Sequence, residues 1–283
     1  MSFNMPESEN RPEKALLSYF LLSFLFSWAA WLPAVLASFG LLVLPFPTMV
    51  LNILGAFGPL FAAVLLTVRR EGWPGVKRLI ASGFNLRLKV VWWLLILLLP
   101  FALTGLAVWI NITLNQYQMD KTLINQPWMI LPTFFIMFFF GGSFQEEFGW
   151  RGYALPRLLQ RFNPAMASLI LGVIWGVWHL PLFYISDTGQ SFMPFGMFIL
   201  MATSFSILFT WVYLKTERNL FSALLLHTAI NTALSVFPPI EKAAGGNQRA
   251  FTYMTLAYLV IGFAIVISNR KLFFKRVGSI HLN

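Results

Sequence analysis

The sequence predicts an all-α, polytopic membrane protein: a helix bundle of about eight transmembrane helices with both termini cytoplasmic. Three observations carry this reading. Hydrophobic residues make up 58% of the chain and charged residues 11%, against about 25% charged in soluble domains. Apolar runs of spanning length recur along most of the 283 residues. Lys and Arg fall on one side of the alternating topology that those runs define. The net charge of +10 is then a topology signal and a contact for lipid headgroups, not a nucleic-acid footprint. The chain has no cysteine, so disulfides and cysteine metal sites are excluded and redox compartment cannot be read.

Taken in order, the polar start carries Glu7, Glu9 and Glu13 and lacks the basic opening of a signal peptide. The first apolar run is therefore expected to stay in the mature protein. Spans are expected at residues 15–35, 49–68, 90–110, 131–153, 165–185, 195–214, 221–237 and 251–268. About twenty residues at ~1.5 Å each cross a hydrocarbon core of ~30 Å. Pro33, Pro59 and Pro100 sit within or at the edges of spans, where neighbouring helices can satisfy the freed backbone groups. With the N-terminus inside, 17 Lys and Arg are cytoplasmic and 3 (Lys121, Lys242 and Arg249) face the other way. The stretch 69–89 fits an amphipathic surface helix with a turn at Trp73-Pro74-Gly75, and equally a solvated basic loop. No repeat or linker divides the chain, so residues 1–283 are read as one domain with a motif-bearing core at about 131–237. The expected setting is the cell membrane, with membrane lipids as neighbours.

Polar residues inside apolar runs mark the functional candidates. Of ten acidic residues, only the adjacent Glu146 and Glu147 are embedded in a span. Each costs roughly 2.5–3.5 kcal/mol to place there, so the pair needs a reason. Arg151 follows Glu147 by four residues, the favourable order for a helical ion pair. Glu146 points about 100° away round the helix and has no evident local partner, which is the profile of a general base. His179 and His227 also lie in apolar runs, and Asn231 shares a helix face with His227. His281 belongs to the tail and is expected to be solvated. Counting ~1.5 Å per residue inward from the cytoplasmic ends places Glu147, His179 and His227 within ~10 Å of one another in depth. A shared cavity is expected, with the acid and imidazoles activating water and His227 and Asn231 stabilising an oxyanion. Trp150, Trp175 and Trp178 are read as packing or cavity lining. Gly172 with Gly176, and Gly141 with Gly142, are read as close-packing positions. Neither a G-x-S-x-G elbow nor an H-E-x-x-H helix is present.

These residues resemble the motifs of the CAAX prenyl endopeptidase and bacteriocin-processing membrane protease family, also called CPBP or Abi, which includes the Ras-converting endopeptidase. E-E-x-x-x-R matches Glu146, Glu147 and Arg151. F-x-x-x-H matches at His179 with Trp175 in place of Phe, a swap expected to leave the chemistry undisturbed. H-x-x-x-N matches His227 and Asn231. The resemblance implies an intramembrane endopeptidase with Glu146 as base, His179 positioning the water, His227 and Asn231 around the oxyanion, and Glu147 with Arg151 as support. Its substrates would be prenylated C-terminal peptides or other lipidated proteins, and equally peptide precursors or membrane proteins. Glu146, His179 and His227 would suit zinc, yet their spacing is not that of a familiar zinc helix, and metal-independent attack is the favoured reading. Two other functions accommodate buried polar groups: a proton- or cation-coupled transporter and a non-catalytic bacteriocin-immunity protein. The absence of repeats and the joint motif match weigh against both.

Overall fold

Helix α1 (Pro12–Ser38) shows how the bundle is made. Leu17, Leu21, Leu25 and Leu32 are exposed, whereas Tyr19, Ser23, Ser27 and Trp31 are buried. Both sets repeat at about four residues, so one helix face meets lipid and the other meets protein. The inward face is the more polar one, because lipid gives no hydrophobic reason to turn leucines inside and interhelical hydrogen bonds hold the contact. Ser27 Oγ donates to the Gly55 carbonyl at 2.7 Å, and Trp31 Nε1 donates to the Asn52 carbonyl at 3.1 Å. These bonds tie α1 to α2 (Thr48–Ala56).

The computed structural model describes residues 12–186, 188–240 and 248–275, all helix and connection with no strand among them. Glu7, Glu9, Lys242 and His281, named above, lie outside the described residues. After α2 come α3 (Gly58–Ser82), α4 (Val90–Asn115) and the short α5 (Thr122–Asn125). The centre of the chain holds α6 (Ile130–Phe140), α7 (Ser143–Gly149) and α8 (Leu155–Arg161). Then follow α9 (Pro164–Trp178), α10 (Phe195–Lys215), α11 (Leu220–Val236), α12 (Arg249–Ser268) and α13 (Arg270–Phe274).

Among the described residues, six helical stretches are long and apolar enough to cross a membrane, and the α6–α8 stretch makes a seventh if its bent halves are one span. The remaining expected span, at 221–237, corresponds to α11, which has 17 residues and is buried along almost its whole length. It is the axis of the bundle, packed against α4, α6, α7 and α10. The expected small-residue face is present between α9 and α10. A Cβ on Gly172 would stand 2.6 Å from Thr203 Cα, and one on Gly176 would stand 2.7 Å from Ile199 Cδ1.

Two expectations need correction. The stretch 69–89 is helical to Ser82, and its break falls at Gly72 (φ 65°, ψ −169°) rather than at Trp73–Gly75. Only glycine adopts that backbone readily, and Pro74 then opens the second half of the helix, where its missing N–H costs nothing. The fourth span is not continuous either. It breaks at Gly141–Gly142, and its two halves meet at a 41° bend.

Candidate active site

The bend builds the site. Gly142 has φ +104°, a conformation that side chains resist. Interrupting a helix at membrane depth frees backbone groups that must find partners within the protein. Gln145 Oε1 accepts from Gly142 N at 2.9 Å, and its Nε2 donates to the Ile53 carbonyl at 3.2 Å. Asn231 Nδ2, from α11, donates to the Gly141 carbonyl at 2.5 Å. Thr228 Oγ1 donates to Ser143 Oγ at 3.0 Å, fastening the start of α7 to the same helix. The glycines were read as a close-packing pair; Gly142 does leave room for His227, and the pair also turns the chain so that α7 enters the core at a new angle.

Helix α7 presents its two glutamates in different directions. Both are buried. Glu147 Oε1 accepts from Arg151 Nη1 and from His227 Nδ1, each at 2.7 Å. The guanidinium carbon of Arg151 lies 3.9 Å from the Phe209 ring centre and 4.6 Å from that of Trp175, so it is held between two aromatic faces. The Glu147–Arg151 pair was expected from its spacing; the bond to His227 was not. Because the carboxylate accepts, Nδ1 of His227 carries a hydrogen and Nε2 is left free of that bond.

Glu146 has a different set of partners. Its Oε2 accepts from Trp175 Nε1 at 2.6 Å and from Trp150 Nε1 at 3.3 Å. The expectation that Glu146 lacks a local partner is therefore corrected; Trp175 lines the cavity as read, and both it and Trp150 also donate to the carboxylate. Trp150 stands four residues after Glu146, the spacing that revealed Arg151 beside Glu147. Indole is a donor only, and that signal was legible. The turn Trp150–Ala154 is a single π-helical turn, a feature frequent at functional sites. Substituting Trp175 for Phe in the motif is not neutral, since phenylalanine has no hydrogen to give Glu146.

Oε1 of Glu146 faces the other way. A Cβ placed on Gly142 would lie 2.5 Å from that oxygen and 3.2 Å from His227 Nε2. The two atoms thus converge on one point over the bend. His179 caps α9, and its Nδ1 bonds the Trp175 carbonyl at 2.8 Å. A carbonyl only accepts, so Nδ1 is protonated here too and Nε2 is the free nitrogen. Glu146, His179, His227 and Asn231 all line one cavity of about 590 Å³. Much of the remaining wall is apolar, including Ile53, Ile136, Phe140, Phe205 and Leu234. The expected convergence of separate spans on one cavity is what the coordinates show.

The fit to a metal can be tested on the donors. Among the described residues no three His, Asp or Glu side chains gather closely enough to hold an ion. One oxygen of Glu147 is committed to Arg151 and His227, its other oxygen being buried without a partner among the described residues, and one oxygen of Glu146 is committed to two indoles. This arrangement does not fit a three-ligand zinc site.

Residues 127–233 match the family of type II CAAX prenyl endopeptidase Rce1-like proteins. Over 92% of its length the chain is also 25% identical to CAAX prenyl protease 2 of Methanococcus maripaludis, covering 96% of that protein. Both matches support the CAAX prenyl endopeptidase family for this chain. The same matches indicate a protease, and the apolar helices indicate an integral multi-pass membrane protein. The matched segment contains every motif residue, from Glu146 to Asn231, and both halves of the bend. Trp31, Asn52 and Ile53, which also line the cavity, precede the matched family segment.

Proposed function

We propose that this CAAX-family protease cleaves a peptide bond near the C-terminus of a lipidated protein or peptide, using water activated by Glu146. It would work in the cell membrane, where an apolar chain enters the cavity directly from the bilayer. The observation that carries the reading is the convergence of Glu146 Oε1 and His227 Nε2 on one point at the wall of an apolar cavity.

The steps follow from the hydrogen-bond directions. Water seated over Gly142 gives one proton to Glu146 Oε1. Its second hydrogen is accepted by Nε2 of His179, whose Nδ1–H is fixed on the Trp175 carbonyl. The hydroxide oxygen bonds to the carbonyl carbon, and the π electron pair moves to the carbonyl oxygen. Protonated His227, held by Glu147, donates from Nε2 to that oxyanion. The second N–H of Asn231 is available for the same purpose, the first being engaged by Gly141. Collapse of the intermediate breaks the C–N bond, and Glu146 returns its proton to the leaving amine. No step calls on a metal.

The test uses purified protein in liposomes with three substrates: a prenylated C-terminal peptide, the same peptide without its lipid, and an unlipidated peptide precursor. Cleavage of the first well above the others is expected, and Glu146→Ala abolishes it while the variant still inserts. Preference for the precursor would replace the lipidated substrate class. Full activity of Glu146→Ala would remove the mechanism.

A further inference from the structure

The second motif holds Trp175 where the family pattern has Phe, and the indole does what a phenyl ring cannot. Its N–H reaches Glu146 Oε2 at 2.6 Å, the shortest bond either glutamate makes. Its ring face covers the Arg151 guanidinium at 4.6 Å. Its ring also meets His179 and His227 edge-on, each at 5.8 Å between centres. Its backbone carbonyl takes the His179 Nδ1 hydrogen at 2.8 Å. One residue, 5% exposed, therefore touches the carboxylate, both imidazoles and the cation that holds the second carboxylate.

We infer that Trp175 is a positioning residue: its indole N–H fixes Glu146 by Oε2 and so aims Oε1 at the reacting water. The inference rests on Glu146 being the base. A carboxylate bound through one oxygen can still rotate about its last torsion, which is broad and nearly two-fold. With Oε2 held by donors from α9 (Trp175) and from the π turn (Trp150), that rotation is stopped. Oε1 then keeps the direction in which it meets His227 Nε2. Trp150, at 3.3 Å, is the weaker of the two restraints. The remaining partners of the group are neutral indoles, so the donors orient the carboxylate without forming the ion pair that closes Glu147 off.

Replacing Trp175 with benzothienylalanine, by nonsense suppression, keeps the ring shape and substitutes sulfur for the N–H. Trp175→Phe removes the same hydrogen by ordinary mutagenesis. Both are expected to lower kcat roughly 10- to 100-fold, the size of one hydrogen bond to a charged group, with KM within about twofold. Trp150→Phe should follow the same pattern with a smaller loss. A packing role would spare the isosteric analogue and spread the effect of Trp175→Phe over KM and thermal stability. Full kcat in the benzothienylalanine variant, beside an inactive Glu146→Ala, overturns the positioning role alone. Activity in Glu146→Ala overturns the base assignment and this inference with it.

Discussion

Glu146 and Glu147 are adjacent in the chain and opposite in circumstance. Glu147 lies in a closed charge cluster, bonded to Arg151 and His227, with aromatic faces on Arg151. Glu146 is bonded through one oxygen to neutral indoles and turns the other toward a cavity. A helix separates successive side chains by about 100°, so neighbours on α7 necessarily look into different surroundings. The comparison teaches that an embedded carboxylate can be retained in two ways: neutralised by an ion pair, which makes it structural, or held by donors that carry no charge, which leaves it reactive.

The sharpest way to break the comparison is to remove each carboxylate in turn. Glu146→Gln is expected to cut the rate of peptide cleavage by ~10²–10⁴-fold, the usual range for a general base, with little change in thermal unfolding in detergent. Glu147→Gln should do the reverse in kind. Stranding Arg151 without its partner destabilises by about 3–5 kcal/mol, read as a lowered unfolding temperature, and activity falls because His227 loses its orientation. Equal stability losses in the two variants would erase the distinction. Next in size is Gly142→Ala, whose methyl would occupy the point where Glu146 Oε1 and His227 Nε2 meet. Activity should drop at least ~10-fold, since strain at such a backbone position alone costs of order 1–3 kcal/mol. Asn231→Ala should cost less, roughly 1–3 kcal/mol from the unsatisfied Gly141 carbonyl, measured as stability and as kcat together. The smallest expected effect is that of a strong chelator, which should leave the cleavage rate within about twofold; loss of activity restored by zinc would show that the donors regroup around an ion.

Much of this site was legible in the chain. The cost of charge in hydrocarbon singled out Glu146, Glu147, His179 and His227, because each interrupts an apolar run. Four-residue spacing paired Glu147 with Arg151 and His227 with Asn231 without any knowledge of packing. The same spacing pairs Glu146 with Trp150, a relation masked by the bulk of an indole, which suggests packing before hydrogen bonding. Gly172 and Gly176 likewise announced close packing by size. What stayed hidden was every relation between residues far apart in the chain: Trp175 on Glu146, His227 on Glu147, Gln145 on Ile53. Rotation of one helix about its axis chooses among these, and no local pattern records that rotation.

The sequence by itself determined the all-helical membrane bundle, the family resemblance, and the short roster of residues with chemistry to offer. These follow from composition and from spacing along single helices, where a period of 3.6 residues decides what shares a face. Only the tertiary structure decided that the fourth span breaks at Gly142, that α11 runs down the middle, and which oxygen of which glutamate looks into the cavity. Those outcomes depend on how buried backbone groups freed by the bend found donors on other helices, a competition settled in three dimensions.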